Sequence, residues 1–154
     1  MRIGLISDTH NLLRDEARQA LAGVDHILHA GDVCTRAVLD SLAAIAPVSA
    51  VRGNNDHGEW ANALPETAIV PIGGMRILIV HDLATLAIDP PAEAIDVVVS
   101  GHSHRPRVEK RDGVLYVNPG SAGPRRFRLP ISVGFLEIAD AGRIDATLQE
   151  LRVA

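Results

Sequence analysis

Five short apolar runs, each followed by polar side chains of the kinds that bind metal ions, constrain the fold of this chain more than any other feature. The runs have the length and the branched side chains of buried parallel strands. They are Ile3–Ile6, His26–His29, Val48–Val51, Ile77–Val80 and Val97–Val99. Residues that follow the carboxyl ends of neighbouring strands in an open α/β sheet converge on one crevice. We therefore expect the polar side chains after these runs to meet at one site.

Two segments between the first three runs have the pattern of helices, which predicts a β-α-β-α-β order for the first third of the chain. Glu16–Leu21 is the shorter of the two. In Thr35–Ala46, Thr35 is suited to the N-cap, apolar residues recur at helical spacing, and Pro47 follows as a stop.

The second half of the chain changes to the pattern of antiparallel strands. A Gly-Gly turn at 73–74 and an Asp-Gly turn at 112–113 each separate two strand-like runs, which predicts two hairpins. Ile131–Ile138 and Arg143–Leu151 predict two further strands. A chain that begins parallel and ends antiparallel predicts two stacked sheets with helices outside, as in a layered α/β or α+β sandwich.

Composition favours a single globular domain spanning residues 1–154. Apolar residues make up 47% and charged residues 22% of the chain, which separates it from disordered proteins. The net charge of −4 gives no strong nucleic-acid signal, because no global basic field is present. Cys34 is the only cysteine, the apolar start is too short for a signal peptide, and no stretch is long enough for a membrane span. A cytoplasmic location is expected.

The polar clusters after the runs contain seven candidate metal ligands. They are Asp8, His10, Asp32, Asn54, His81, His102 and His104. Taken singly, most of these have ordinary explanations: an Asp-x-His also fits a cap followed by a solvated histidine, a Gly-Asp fits a turn, and a histidine ending an apolar strand fits a satisfied core residue. Their joint occurrence at equivalent ends of five strands favours a shared metal site.

Seven ligands are too many for one four-coordinate ion, so two ions that share a bridging carboxylate fit better. A mixture of carboxylate, amide and imidazole groups suits Mn, Fe, Co, Ni or Zn better than Ca. Two ions about 3.5–4 Å apart make a bridging hydroxide nucleophilic at neutral pH and clamp a tetrahedral phosphorus centre. Such a site would attract phosphate esters despite the acidic chain.

The order Asp-x-His, Gly-Asp, Gly-Asn-x-Asp, His, Gly-His-x-His resembles the calcineurin-like metallophosphoesterase superfamily. Asn118-Pro119-Gly120-Ser121 is most similar to its small bacterial and archaeal YfcE-type phosphodiesterase branch. The resemblance implies a four-layer α/β/β/α sandwich of two mixed sheets. It also implies a metal-dependent phosphodiesterase, a phosphoric diester hydrolase acting on a small phosphoester, with two divalent ions. We expect Mn, with Ni, Co, Fe or Zn as alternatives.

The same resemblance implies a role for each candidate ligand. Asp8, His10 and His104 would hold the first ion. Asn54, His81 and His102 would hold the second, with Asp32 as the bridge.

Asn55 and Asp56 are the expected catalytic residues beside these ligands. Asp56 matches a family aspartate that orients its neighbours. Asn55 stands where many members have a histidine that contacts phosphate and protonates the leaving group. An amide can donate a hydrogen bond to a phosphoryl oxygen but has no titratable proton. We therefore expect good cleavage only of esters whose leaving group has a low pKa.

Other interpretations remain open from the sequence. A phosphomonoesterase or nucleotidase would use the same site, and the implied fold also resembles that of a eukaryotic retromer subunit that serves mainly in assembly. Arg125, Arg126 and Arg128 either grip a phosphate or form a solvated charge run. The apolar antiparallel edge of the C-terminal half is compatible with a homodimer or a higher homo-oligomer.

Overall fold

The computed structural model describes residues 1–153, which form two stacked five-stranded sheets. The strands are β1 Arg2–Ile6, β2 His26–His29, β3 Val48–Ala50, β4 Thr67–Ile72, β5 Met75–Val80, β6 Val97–Val99, β7 Arg107–Arg111, β8 Val114–Asn118, β9 Ser132–Ile138 and β10 Ile144–Glu150. The α-helices are α1 Asp15–Ala20, α2 Arg36–Ala43 and α3 Glu59–Asn62. Each of the strands predicted from the sequence is confirmed.

Both sheets are mixed, with parallel strands supplemented by antiparallel ones. The first sheet has the order β10-β9-β1-β2-β3, in which β1, β2 and β3 are parallel and β9 runs antiparallel to β1. The second has the order β4-β5-β6-β8-β7, in which β5, β6 and β8 are parallel and the two edge strands are antiparallel. The hairpins predicted at 73–74 and 112–113 are therefore confirmed.

The main core lies between the two sheets. Alternate residues of the inner strands face it, with Leu5 and Leu28 on one side and Ile77, Val99 and Val117 on the other. All five side chains are at least 99% buried. Side chains that alternate across a strand point to opposite faces, so the remaining residues of β1 and β2 face the helices.

Helices α1 and α2 cover the outer face of the first sheet, where Ala17, Val38 and Leu42 pack with Ile27 and Phe135. Both helices predicted from the sequence are confirmed at the predicted positions. Thr35 occupies the N-cap position of α2 but makes no capping hydrogen bond. Its hydroxyl instead donates to the Asn11 side-chain oxygen over 2.9 Å, which ties the start of α2 to the loop after β1.

The outer face of the second sheet is covered by a thinner layer. A 3₁₀ turn, Leu83–Thr85, begins this cover, and Leu86 and Ile95 pack on Leu78 and Val98. Pro90 and Pro91 interrupt the segment, and proline cannot donate the backbone hydrogen bond that a helix interior needs. The predicted four-layer α/β/β/α sandwich of two mixed sheets is thus confirmed, with a short irregular fourth layer.

Two properties of the fold bear on the site. The carboxyl ends of β1, β2 and β3 and those of β5, β6 and β8 lie at one end of the stacked sheets, where their loops touch: the Gly101 amide after β6 donates to the His81 carbonyl after β5, and the His102 amide donates to an Asp8 carboxylate oxygen. Among residues 1–153, the helices are all too short or too polar to cross a lipid bilayer.

Candidate metal centre

The seven predicted ligands come together where the strand-end loops of both sheets meet. Asp8 and His10 follow β1, Asp32 follows β2, and Asn54 follows β3. His81 follows β5, and His102 and His104 follow β6. Asp8, Asp32, His81 and His104 are buried, His10 is half-buried, and Asn54 and His102 are exposed. The site therefore has a buried floor and an open rim.

Two groups of candidate ligands share the carboxylate of Asp8. Asp8, His10 and His104 form one group, and Asp8, Asp32 and His81 form the other, with ligand atoms within 4.8 Å of one another in each. The Oδ1 atom of Asp8 lies 3.4 Å from His104 Nε2 and 3.9 Å from the Nε2 atoms of His10 and His81.

The Asp32 carboxylate also lies between the two groups. Its Oδ2 atom is 3.3 Å from His81 Nε2 and 3.6 Å from His10 Nε2. The two exposed candidate ligands, Asn54 and His102, both contact His81. Its Nε2 atom is 3.0 Å from Asn54 Oδ1 and 3.3 Å from His102 Nδ1. Two adjacent ligand sets with two central carboxylates are the arrangement that a pair of ions needs.

The hydrogen bonding of His81 prepares its ring for a cation. Its Nδ1 atom lies 2.7 Å from the Ala30 carbonyl oxygen, which can only accept, so Nδ1 carries the proton. In the neutral ring, Nε2 then carries a free lone pair, and it faces oxygens of Asp32 and Asn54. A backbone carbonyl that fixes the tautomer in this way is typical of metal-binding histidines.

Three buried atoms at the centre have no hydrogen-bond partner among the described residues: Asp8 Oδ1, His10 Nε2 and His104 Nδ1. Unpartnered polar atoms in a protein interior are costly and rare. Here they are gathered in one place, and carboxylate oxygen and imidazole nitrogen suit divalent transition metals. The residues present therefore fit divalent metal ions.

In the metal-free chain, the charges of Asp32 and His81 support each other. Burial raises the pKa of Asp32, but hydrogen bonds from His81 and from both amides of Asn55 outweigh it, so that pKa lies well below its usual range. Burial lowers the pKa of His81, but the hydrogen bond with Asp32, the charge of Asp8 and the Ala30 carbonyl raise it overall.

Both central carboxylates are held by the loops around them. Asp8 Oδ2 accepts hydrogen bonds from the Ser7 hydroxyl at 2.8 Å and the His102 amide at 3.1 Å, which leaves Oδ1 for the site. The buried carboxylate of Asp56 accepts backbone N–H groups of Asp32, Gly53 and Cys34 at 2.7–3.0 Å. Asp56 thus joins the loops after β2 and β3, as expected of a residue that orients its neighbours.

Asn55 contacts Asp32 in this structure. Its backbone amide donates to Asp32 Oδ1 and its side-chain amide to Asp32 Oδ2, each over 2.9 Å. The second of these oxygens is the one that lies between His10 and His81. The sequence indicated a phosphate contact for Asn55 but contained no signal for this bond, because the two residues lie on different loops.

Strained backbone is concentrated at the site. Five of the seven predicted ligands have left-handed backbone angles, with φ between 45° and 67°. They are Asp8, His10, Asp32, His102 and His104. Such conformations cost of order 1–3 kcal/mol each in residues other than glycine and cluster at functional sites.

Two glycines allow the loops to approach the carboxylates closely. A Cβ atom on Gly53 would overlap the backbone nitrogen and Oδ1 of Asp32, and one on Gly101 would overlap the Ser7 hydroxyl and lie 2.7 Å from Asp8 Oδ2. The glycines that precede Asn54 and His102 are thus required by contact distance.

His29 is a structural residue of the site that the sequence did not single out. Its Nδ1 accepts the Gly31 amide at 3.1 Å, so its Nε2–H donates to the Thr9 hydroxyl, also at 3.1 Å, and Thr9 donates to the Val33 carbonyl. This buried chain of bonds links the loops that bear Asp8 and Asp32. The signal in the sequence that could have identified His29 is an imidazole at the carboxyl end of strand β2.

The loop that carries Arg125 and Arg126 borders the candidate metal ligands. A cavity of about 300 Å³ is lined by His10, His104, Pro124, Arg125 and Arg126. Arg128 does not line it.

The environment of Cys34, which lies beside Asp32, disfavours the thiolate. Burial, followed by the charges of Asp56, Asp32 and Asp8, raises its thiol pKa to about 11, so the thiol stays protonated.

A family model described as the calcineurin-like phosphoesterase superfamily domain matches residues 1–141. Two curated relatives, each described as a probable metallophosphoesterase, come from Methanocaldococcus jannaschii and Methanothermobacter thermautotrophicus. Each is 33% identical to this chain, and each alignment covers 96% of it; the alignments cover 80% and 91% of the relatives, respectively.

Solved structures share the complete fold. One described as a novel archaeal phosphodiesterase is 26% identical, with a TM-score of 0.77, and the alignment covers 97% of this chain and 100% of that one. Vacuolar Protein Sorting 29 from Cryptosporidium parvum is 24% identical, with a TM-score of 0.75 and 97% of both chains covered. The second similarity shows the fold alone.

We predict that folding stability falls between pH 6.5 and pH 4 because of His29. Burial, which outweighs the nearby carboxylates, lowers its pKa from 6.5 to about 4. The unfolded chain therefore binds a proton that the folded chain does not, and the stabilisation present above pH 6.5 is lost progressively down to pH 4. Between pH 6.5 and 5 this amounts to about 2 kcal/mol.

Urea unfolding of the metal-free wild type and His29→Gln at pH 7 and pH 5 measures this effect. Because glutamine keeps a donor and an acceptor but does not titrate, the variant should lose about 2 kcal/mol less than the wild type over this interval. Equal losses in the two proteins would contradict the prediction.

We predict that Asp8→Asn has opposite effects with and without metal. An amide at this position can donate toward the ring nitrogens that Asp8 Oδ1 now faces, so the metal-free variant should be more stable than wild type by about 1–3 kcal/mol. Mn at a hundred times its dissociation constant should stabilise wild type by about 2.7 kcal/mol, or about 5–10 °C in Tm, and the variant far less.

Thermal unfolding with chelator and with Mn separates the two effects. Asp96→Asn is the matched control, since Asp96 also accepts a backbone amide, that of Arg76, but lies at the amino end of β6, opposite the end that carries the ligands. An equal Mn-induced rise in Tm for Asp8→Asn and wild type would show that Asp8 does not hold the ion.

Proposed function

The chain belongs to the calcineurin-like phosphoesterase superfamily, and we propose that it is a phosphodiesterase that works with two divalent metal ions. Membership of the family supports metal-dependent phosphoester hydrolysis. The observation that carries the finer proposal is the presence of two ligand sets that share Asp8, the first of which holds three buried atoms with no hydrogen-bond partner among the described residues. We propose Mn as the resident ion, with Ni, Co, Fe and Zn as alternatives.

We assign Asp8, His10 and His104 to the first ion and Asn54, His81 and His102 to the second, with Asp32 between them. The position of Asp32 Oδ2, 3.6 Å from His10 Nε2 and 3.3 Å from His81 Nε2, supports a bridging role. Asp8 Oδ1 is comparably close to histidines of both sets, so it is a second candidate bridge.

When bound, two such ions supply a hydroxide nucleophile at neutral pH and neutralise negative charge on phosphorus. The protein's own residues hold this geometry. Asn55 fixes both oxygens of Asp32, and Asp56 holds the backbone of the same loop. His29 links that loop to the one after β1 through Gly31 and Thr9.

Space on two sides of the centre favours a diester. One cavity opens beside His10 and His104, and another of about 230 Å³ opens beside Asn54, His81 and His102. A phosphodiester carries two organic groups that must leave the phosphorus in different directions. The 26% identical archaeal phosphodiesterase supports the same choice.

Arg125 and Arg126 are proposed to contact a phosphoryl oxygen or the first ester group. Both line the cavity beside His10 and His104, and neither forms an ion pair with a carboxylate of the described residues. A guanidinium group in that position can donate two parallel hydrogen bonds to a phosphate. Arg128, outside the cavity, is assigned no contact.

Two other functions use the same fold. A phosphomonoesterase needs only one of the two cavities, so it leaves the space beside His81 unexplained. A binding scaffold, in line with the fold shared with Vacuolar Protein Sorting 29, has no need for seven convergent ligands. The complete ligand set favours catalysis.

We predict that chelator-stripped protein reloaded with Mn hydrolyses bis-p-nitrophenyl phosphate at least tenfold faster than p-nitrophenyl phosphate. Asp32→Ala should lower the diester rate more than about a hundredfold, since the variant removes a bridging ligand. Asp25→Ala, which removes an exposed carboxylate bonded to the Arg2 amide, is the matched control.

The outcome separates the three functions. A faster monoester reaction would support the phosphomonoesterase. Bound metal without hydrolysis of either ester would support the scaffold.

We predict that Asn55→His widens the range of leaving groups. Asparagine cannot donate a titratable proton, so esters with an alkyl leaving group should react slowly in wild type. Histidine should raise the rate on a methyl phosphodiester relative to an aryl ester by about 10²–10⁴-fold, reduced by any disturbance of Asp32. Asn55→Gln keeps an amide and is the control. No relative gain on the alkyl ester would refute the leaving-group hypothesis.

A further inference from the structure

A third cavity, of about 260 Å³, adjoins the metal centre on the outer side of the second sheet. His102 and Asp82 line both this cavity and the one beside His81, so the two spaces are neighbours. We call it the Tyr116 cavity. Its size is near the lower end, about 300 Å³, of the pockets that hold small ligands.

The Tyr116 cavity combines apolar surface with charged edges. Leu83, from the 3₁₀ turn, and Tyr116, from β8, are its large apolar side chains. The Arg111 guanidinium lies over the Tyr116 ring at 4.4 Å, and Glu109 pairs with Arg107 at 2.9 Å. These contacts hold the guanidinium groups, the Tyr116 ring and the Glu109 carboxylate in place before any ligand enters.

Arg105 differs from the other arginines of this cavity. Arg107 and Arg111 both pair with Glu109, whereas no carboxylate in residues 1–153 lies within ion-pair distance of Arg105. Arg105 also follows His104 directly in the chain and lines the cavity near His102. Its donors are therefore available to a ligand that extends from the metal centre.

We propose that the Tyr116 cavity binds the planar base of a nucleotide phosphodiester whose phosphorus lies at the metal centre. This proposal rests on the proposed phosphodiesterase function. A base has apolar faces that match Leu83 and the Tyr116–Arg111 pair, and an edge of donors and acceptors that matches Arg105 and Glu109. An alkyl chain would strip water from these charged groups without replacing their hydrogen bonds.

Two diesters with the same leaving group test the proposal. Thymidine 5′-(p-nitrophenyl phosphate) carries a base, and methyl p-nitrophenyl phosphate does not. With Mn-loaded protein, kcat/KM should be at least tenfold higher for the nucleotide ester. Leu83→Trp, which fills the cavity, should lower the ratio of the two kcat/KM values at least fivefold, mainly through KM, and Arg105→Ala should lower it in the same direction.

Ile69→Trp is the matched control, because Ile69 is a similarly exposed aliphatic residue on β4, outside the Tyr116 cavity. Its ratio should equal that of wild type. Equal ratios in wild type, Leu83→Trp and Arg105→Ala would overturn the base site while leaving the phosphodiesterase intact.

A binding measurement that needs no metal separates this proposal from the proposed function. In saturation-transfer NMR with metal-free protein, the thymine protons of thymidine should receive saturation from wild type and much less from Leu83→Trp. If neither diester is hydrolysed, the phosphodiesterase proposal fails, and this measurement still decides whether the cavity binds a base. Equal saturation in the two proteins would overturn the base site.

Discussion

The close approach of buried carboxylate oxygens and imidazole nitrogens at the strand ends is the constraint on which the rest of the structure depends. Carboxylate oxygens of Asp8 and Asp32 face imidazole nitrogens within 3.3–3.9 Å, and two of the atoms involved, Asp8 Oδ1 and His10 Nε2, lack hydrogen-bond partners among the described residues. Folding without a cation must offset this desolvation by burying apolar surface elsewhere. The dense core between the sheets, the hydrogen bonds that Ser7 and Asn55 donate and those that Asp56 accepts provide that support.

The backbone that carries the ligands is strained, and the rest of the fold holds it in that conformation. Left-handed angles at five ligands, and close contacts at Gly53 and Gly101, place short side chains where a relaxed loop would not reach. Strands β1, β2, β5 and β6, which carry six of the seven ligands on the loops that follow them, are buried along most of their length, so they resist movement of the loop ends. Strain of this kind persists only where the remaining structure determines the conformation.

Strand positions and the convergence of the seven ligand candidates could be predicted because both follow from short-range patterns. An apolar run predicts a strand, and parallel strands place their next residues at one edge. The bond from Asn55 to Asp32, the bond from Thr35 to Asn11 and the chain through His29 could not be predicted in this way. Each joins loops that are distant in sequence, and their geometry depends on how the loops pack. The Tyr116 cavity is unpredictable for the same reason, since its walls come from β7, β8 and the 3₁₀ turn.

The pairing of β1 with β9 has a consequence for how the chain is made. β1 begins at Arg2, and its partner ends at Ile138, where the carbonyl accepts the Met1 amino group. The first sheet therefore lacks two of its five strands until residues 132–150 have left the ribosome. Contacts so far apart in sequence slow folding, and an unpaired strand edge is prone to association with other chains. Nascent chains that stop before residue 132 should consequently depend on chaperones to stay unaggregated.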